Sequence, residues 1–249
     1  MLPASGVGSQ KQRTFVQVYS AYVSPLPLPP NPVTQPAQPN RQRIKVGLFA
    51  SFYRGFFVLD ELLRGPASTL VEVVGLATDD PVQPFVSPGK RVWQHPHTRY
   101  EEIMVSQMAQ AAGIPVYAGR VKSPEFYALM ETQWQPDICI MGTFGQKIDA
   151  RLFNYPQLGF FNIHPCAYGI WPTRYPGANP YGEMIDDNVT HLNIALHRVG
   201  DDIDTGELMG MSESIPLPKE TSVIDLHKLS APAAAHLVGR EIMRIIKQG

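Results

Sequence analysis

An amide, an imidazole and a carboxylate stand within reach of one another along this chain. Asn162 and His164 lie in the run Phe160-Phe161-Asn162-Ile163-His164-Pro165-Cys166, and Asp204 follows in Asp202-Ile203-Asp204-Thr205-Gly206. Side chains alternate across a strand, so Asn162 and His164 share one face while Phe161 and Ile163 point into the opposite layer. Polar groups at an apolar strand end cost about 1–3 kcal/mol each when buried without a partner. Such a trio donates hydrogen bonds and passes protons. Read singly, Asn162 and His164 are a satisfied pair closing a strand, and Asp-Thr-Gly is an ordinary turn. Read together, the three residues favour a site.

The elements that must position them alternate in period. Apolar strands are expected at Ile44–Phe49, Val71–Ala77, Ile114–Tyr117, Asp137–Met141 and Phe160–His164. Helical spacing falls at Gly55–Leu63, at Tyr100–Ala112 before Gly113, and at Phe126–Glu131. This order predicts a Rossmann-like α/β fold, a mostly parallel sheet with helices on both faces. Ligands then bind beyond the carboxyl ends of the strands, where Asn162 and His164 fall. Thr190–Val199 and Glu207–Ile215 read as a late antiparallel hairpin, and Ser222–Lys247 as a covering helix.

The chain has 249 residues, enough for one sizeable core, with 21 Lys plus Arg against 22 Asp plus Glu. No overall positive field exists to hold a phosphate backbone, so no nucleic-acid partner is expected. Cys139 and Cys166 form neither a CxxC pair nor a zinc spacing, and no metal is expected. A reducing, cytoplasmic setting fits. Gln17 and Ser20 interrupt the apolar stretch Phe15–Val23, and no run reaches the roughly 20 apolar residues that span a bilayer. Residues 24 to 40 are too rich in proline for a helix or central strand. They place residues 1–42 as a disordered tail, with a polyproline docking peptide as the alternative, and residues 43–249 as the catalytic domain.

Asn-x-His-Pro, an aromatic and glycine-rich loop ending in Tyr175-Pro176-Gly177, and the later Asp-x-Asp-Thr-Gly resemble the 10-formyltetrahydrofolate-dependent formyltransferase family over roughly Ile44 to Lys247. The resemblance implies that Asn162, His164 and Asp204 are catalytic and that 10-formyltetrahydrofolate is the co-substrate. An amine attacking the formyl carbon builds an oxyanion, for which an amide donor is worth about 3–4 kcal/mol in comparable sites. Protonated His164 would add a charge-assisted donor, and Asp204 would pass the proton between amine and folate N10. The family's pterin loop is similar to Gly142–Ile148, which implies folate contacts from Phe144, Gly145, Gln146, Lys147 and Ile148, with Asp201 and Asp202 on the later loop. A turn without a ligand is the alternative for Gly142–Ile148. The family usually has Ser where this chain has Cys166, which raises a thiol nucleophile beside a merely structural residue. Pro165 is expected to break the strand before it.

For the acceptor, the family's glycinamide ribonucleotide members place a Gly-Asn-Gly-Ser-Asn phosphate loop after the first strand, where this chain has Ala50-Ser51-Phe52-Tyr53-Arg54-Gly55. Members formylating initiator tRNA carry a further C-terminal domain, whereas this chain ends at Gly249. The segment Asp79–Thr98, with Trp93, His95 and His97, reads as a lid or acceptor loop. The reading is transfer to a small amine or hydroxylamine, leaning to N5-hydroxyornithine in siderophore biosynthesis. Tyr53, Arg54 or Arg174 would meet the acceptor's carboxylate. Sugar, glycinamide ribonucleotide and methionyl-tRNA acceptors, a formyltetrahydrofolate hydrolase, and a non-catalytic binding module stay open.

Overall fold

Alternating burial along the first strand sets up the whole architecture. In the computed structural model, which describes residues 43–86, 89 and 91–248, β1 (Ile44–Ala50) turns Val46, Leu48 and Ala50 to one apolar cluster and Phe49 to another. Both faces of the strand are therefore covered, which its continuous hydrophobicity requires. The proline-rich tail expected at 1–42 lies outside the described residues.

Parallel pairing joins β1 to β2 (Val71–Ala77) and to β4 (Ile138–Gly142), β2 to β3 (Val116–Tyr117), and β4 to β5 (Gly159–Ala167). Antiparallel pairing then joins β5 to β6 (His191–Arg198), β6 to β7 (Leu208–Met211), and β6 to β8 (Ile215–Pro216). Among the described residues the sheet has eight strands in the order β3-β2-β1-β4-β5-β6-β7, with β8 paired to β6. One face carries α1 (Phe52–Arg64), α2 (Arg99–Ala111), α5 (Pro180–Asp186) and the long α6 (Val223–Gln248). The other carries α3 (Pro124–Leu129), which runs into a wider turn over Met130–Trp134, and α4 (Ala150–Phe153). The fold is the mostly parallel α/β sheet with an antiparallel end that the periodicity predicts.

Three local expectations change. Helix α1 starts at Phe52, ahead of Gly55, because that glycine lets the first turn lie against β1: a Cβ there would stand 2.9 Å from the Ala50 Cβ. Pro165 does not break β5, which runs on to Ala167 with Pro165 opposite Ile194 and Cys166 opposite Asn193. Pairing with β4 ends at Met141 and Asn162, so beyond that point β5 is an edge on one side and can accommodate a proline. The expected strand Glu207–Ile215 is two short pieces, because Ser212 leaves the β7 ladder and its hydroxyl accepts a hydrogen bond from the Ile194 N–H at 2.9 Å.

Candidate active site

The point where β4 stops and β5 continues opens a crevice at the carboxyl ends of the parallel strands. Asn162 and His164 face it from one side of β5, as alternation requires. Across the antiparallel ladder, His197 on β6 stands opposite Asn162. The loop after β6 then returns Asp204 to the strands. Its backbone is left-handed at φ 53°, a conformation that surrounding contacts must hold. Gly206 is needed for space, since a Cβ there would meet the Arg198 carbonyl oxygen at 1.9 Å.

The carboxylate is the hub of this cluster. Asn162 Nδ2 donates to Asp204 Oδ1 at 3.0 Å, and the Gly177 N–H donates to Oδ2 at 2.8 Å. His164 Nδ1 lies 3.4 Å from Oδ2, and His197 Nε2 lies 3.4 Å from Oδ1 without hydrogen-bond alignment. The other nitrogen of His164, Nε2, sits 2.8 Å from the Tyr175 carbonyl oxygen. That oxygen only accepts, so Nε2 carries a hydrogen and Nδ1 is the position that gains or loses one.

Burial pushes the His164 imidazolium down to about 4, against the opposing pull of Asp204. Burial alone would raise the Asp204 carboxyl, but His197, His164 and the Gly177 N–H together hold it below the usual range. Burial thus opposes the protonated His164 expected from the sequence, while the Asp204 carboxylate facing Nδ1 favours it.

One wall of the crevice is the loop after β4. Phe144, Gly145, Gln146, Lys147 and Ile148 all line a cleft of about 320 Å³, and Asp201, Asp202 and the exposed Ile203 line it from the loop that carries Asp204. The β4 loop is fastened from behind. The Asp79 carboxylate accepts from the Gly145 N–H and from Gln146 Nε2 at 3.4 Å, and Arg91 Nη1 donates to the Phe144 carbonyl at 3.1 Å. Burial raises the Asp79 carboxyl, and these donors only partly offset it. Asp79 and Arg91 are thus residues that motif reading missed. They belong to the segment expected as a lid, whose described part is docked: Trp93 is 5% exposed and meets the Phe52 ring edge-on at 5.8 Å. His97 Nδ1 contacts the His95 carbonyl at 2.6 Å and its Nε2 contacts Glu102 at 3.0 Å. Among the described residues no group of three or more His, Cys, Asp or Glu is arranged to hold a metal ion.

Of the three acceptor candidates, only Arg54 reaches the cleft. Tyr53, its neighbour on α1, turns away to donate to Glu101 Oε1 at 2.6 Å. Arg174 is exposed outside the cleft, its guanidinium 5.9 Å from the Tyr175 ring. Cys166 is buried off the cleft, 3.7 Å from the Asn193 carbonyl, with its thiol pushed up to about 11 by burial. It is no activated nucleophile. His197 went unread in the sequence although it lines the cleft. Its signal was a polar residue at the end of the apolar run Ile194–Leu196, shortly before Asp204.

With this geometry established, comparisons place the chain among known proteins. The profile described as "Formyl transferase" matches residues 85–235. A methionyl-tRNA formyltransferase from Syntrophus aciditrophicus (strain SB) is 28% identical over 122 residues, covering 49% of this chain and 37% of that protein. Another, from Syntrophomonas wolfei subsp. wolfei, is 26% identical over 159 residues, covering 64% and 46%. The chain thus spans less than half the length of these curated relatives. Among solved structures, glycinamide ribonucleotide transformylase 1 from Geobacillus kaustophilus superposes with a TM-score of 0.60 at 17% identity, over 82% of this chain and 99% of that one. A formyltetrahydrofolate deformylase from Pseudomonas syringae pv. tomato gives 0.59 at 17% identity, over 83% and 62%. At these identities the solved structures speak for the fold.

Proposed function

Because the chain belongs to the formyl transferase family, we propose that it moves the formyl group of 10-formyltetrahydrofolate to the amine or hydroxylamine nitrogen of a small acceptor. The observation that carries this reading is the convergence of Asn162 and His164 on Asp204 at the edge of a cleft walled by the Phe144–Ile148 loop. The acceptor nitrogen attacks the formyl carbon, a C–N bond forms, and the carbonyl electron pair moves onto oxygen. Asn162 uses one amide hydrogen on Asp204 and keeps the second for that oxygen. The nitrogen's proton passes to His164 Nδ1, and the imidazolium so formed is stabilised by Asp204. Collapse breaks the bond to folate N10, which takes the proton back from His164.

Main-chain groups of the Phe144–Ile148 loop would meet the pterin, with Asp201 and Asp202 on the facing loop. The acceptor reading leans to N5-hydroxyornithine in siderophore biosynthesis, in the cytoplasm. It is supported by a formal net charge of −1, which gives no field for tRNA. Among the described residues no helix is long and apolar enough to cross a membrane. A hydrolytic reading is favoured by one observation, the likeness in fold to a deformylase. The test is to incubate the protein with 10-formyltetrahydrofolate and a panel of amines, hydroxyornithine and amino sugars, following tetrahydrofolate release. Acceptor-stimulated release is the expected result. Release at the same rate without acceptor would establish hydrolysis, and no release at all would refute transfer.

A further inference from the structure

We propose that Arg54 and His227, with Tyr181 positioning the guanidinium, form an anion subsite that holds the carboxylate of an amino-acid acceptor while its side-chain nitrogen reaches the formyl carbon. The proposal rests on reading the cleft as a formyl-transfer site and names the acceptor class that site would take.

Arg54 is 4% exposed and has no carboxylate within ion-pair distance among the described residues. Its guanidinium donates only to neutral oxygens, the Ile163 carbonyl at 3.3 Å and the Tyr181 hydroxyl at 2.7 Å, and Nε has no partner. A buried cation lacking a counter-charge is costly, and an incoming anion removes that cost. Beside it, His227 is buried with Nδ1 unpartnered, and its imidazolium is disfavoured first by burial and then by the Arg54 charge. A neutral imidazole can still donate one N–H to an anion. The Tyr181 and Phe52 rings stand edge-on to His227 at 4.7 and 5.5 Å, which keeps the recess apolar around its polar tips. The Tyr181 hydroxyl is itself fixed by Ser230.

The location ties the recess to the chemistry. Arg54 holds the carbonyl of Ile163, the residue between Asn162 and His164, and its charge is felt at His164. Both Arg54 and His227 line the same cleft as the catalytic trio. A planar carboxylate matches a single guanidinium fork. A phosphate dianion needs a cradle of N–H groups, and at the turn after β1 the Ser51 N–H already donates to the Gly142 carbonyl at 3.4 Å while its hydroxyl accepts from the Asp79 N–H at 2.9 Å.

Calorimetric titration with L-ornithine and putrescine, which differ only by the carboxylate, tests the subsite without any formyl donor; N5-hydroxyornithine and N-hydroxyputrescine extend it. Ornithine is expected to bind at least about tenfold more tightly than putrescine, with Arg54→Met erasing most of that preference and Arg54→Lys keeping part of it. Tyr181→Phe, which loosens the guanidinium without removing it, gives an intermediate preference and serves if Arg54→Met does not fold. Equal binding of the two compounds, binding of neither, or a preference that survives Arg54→Met overturns the proposal. Displacement of ornithine by millimolar inorganic phosphate would reassign the recess to phosphate. Tetrahydrofolate release separates this from the transfer reading: Arg54-dependent ornithine binding without release keeps the subsite and removes the transfer, whereas equal release with both amines does the reverse.

Discussion

The two ends of the cleft are built from opposite materials. At the end proposed for the donor, Phe144, Gly145 and Ile148 offer main chain and apolar side chains beside the exposed Lys147, and the buried charges behind them are spent on the protein itself: Asp79 on Gly145 and Gln146, Arg91 on Phe144. At the end proposed for the acceptor, Arg54 and His227 are charged or polar, buried, and left with unpartnered nitrogens. The first has its buried charges paired, although the Thr143 hydroxyl beside them is not, and the second has a buried charge without a counter-charge. A wall whose buried charges are paired suits a flat heterocycle held by shape, while a recess with an unpaired buried cation selects a ligand that completes it. Asp204 stands between them, tied to both strands that form the crevice floor.

That contrast predicts where activity is most fragile. Asp204→Asn removes the charge that stabilises a protonated His164, and His164→Ala removes the proton acceptor. Each should lower kcat by about a thousandfold or more, with tetrahydrofolate binding retained. Asn162→Ala should lower kcat by about a hundredfold or more, because it strips one oxyanion donor and leaves the proton path. If any of the three abolished folate binding instead, the middle of the cleft would belong to the donor end. Acid should then weaken the fold through the histidines. The His164 imidazolium is pushed down to about 4 from an ordinary 6.5, and His227 lies well below its ordinary value too. Below about pH 6.5 the unfolded chain takes up protons that the folded chain refuses, so stability is intact above that pH and falls as pH drops towards 4. His164 alone accounts for about 2 kcal/mol by pH 5, readable from denaturant unfolding at pH 7.5 and 5. Asp79 has the opposite sign, since its raised carboxyl favours the acidic folded state. His227→Phe should flatten the pH slope; an unchanged slope would mean that His227 is charged in the folded protein.

At the donor end the expected effect is smaller and falls on a different constant. Asp79→Ala unfastens the Gly145 loop and strands Arg91, so KM for the formyl donor should rise about tenfold while kcat changes little. A drop in kcat at unchanged KM would place Asp79 in the chemical step and dissolve the distinction between the ends.

What the sequence made legible follows the same division. Asn162 and His164 were readable because strand alternation is local, and the sheet's parallel core because its apolar runs are long. Two features escaped because they exist only across elements. His197 owes its place to the β5–β6 register that sets it opposite Asn162, and the run Leu192–Leu196 is buried throughout, so no alternation marks the face towards the cleft. Asp79 meets Gly145 across β2 and β4, strands that do not pair with each other. Tyr53 failed for a local reason: one residue along a helix is a rotation of about 100°, which sent Arg54 into the cleft and Tyr53 to Glu101. Pro165 failed because its missing N–H matters only where a neighbouring strand needs it.

The smallest effect is expected behind the site, at Cys166. Its thiol is buried off the cleft, is pushed up to about 11, and has only the Asn193 carbonyl as a polar contact at 3.7 Å. Serine keeps the size and can donate to that same carbonyl, so Cys166→Ser should hold kcat/KM within about threefold and cost about 1 kcal/mol of stability or less. The measurement discriminates because a covalent route would need the thiolate at the formyl carbon. A loss beyond about a hundredfold would make Cys166 a fourth working group beside Asn162, His164 and Asp204 and end the division into a donor wall with paired charges and an acceptor recess with an unpaired one.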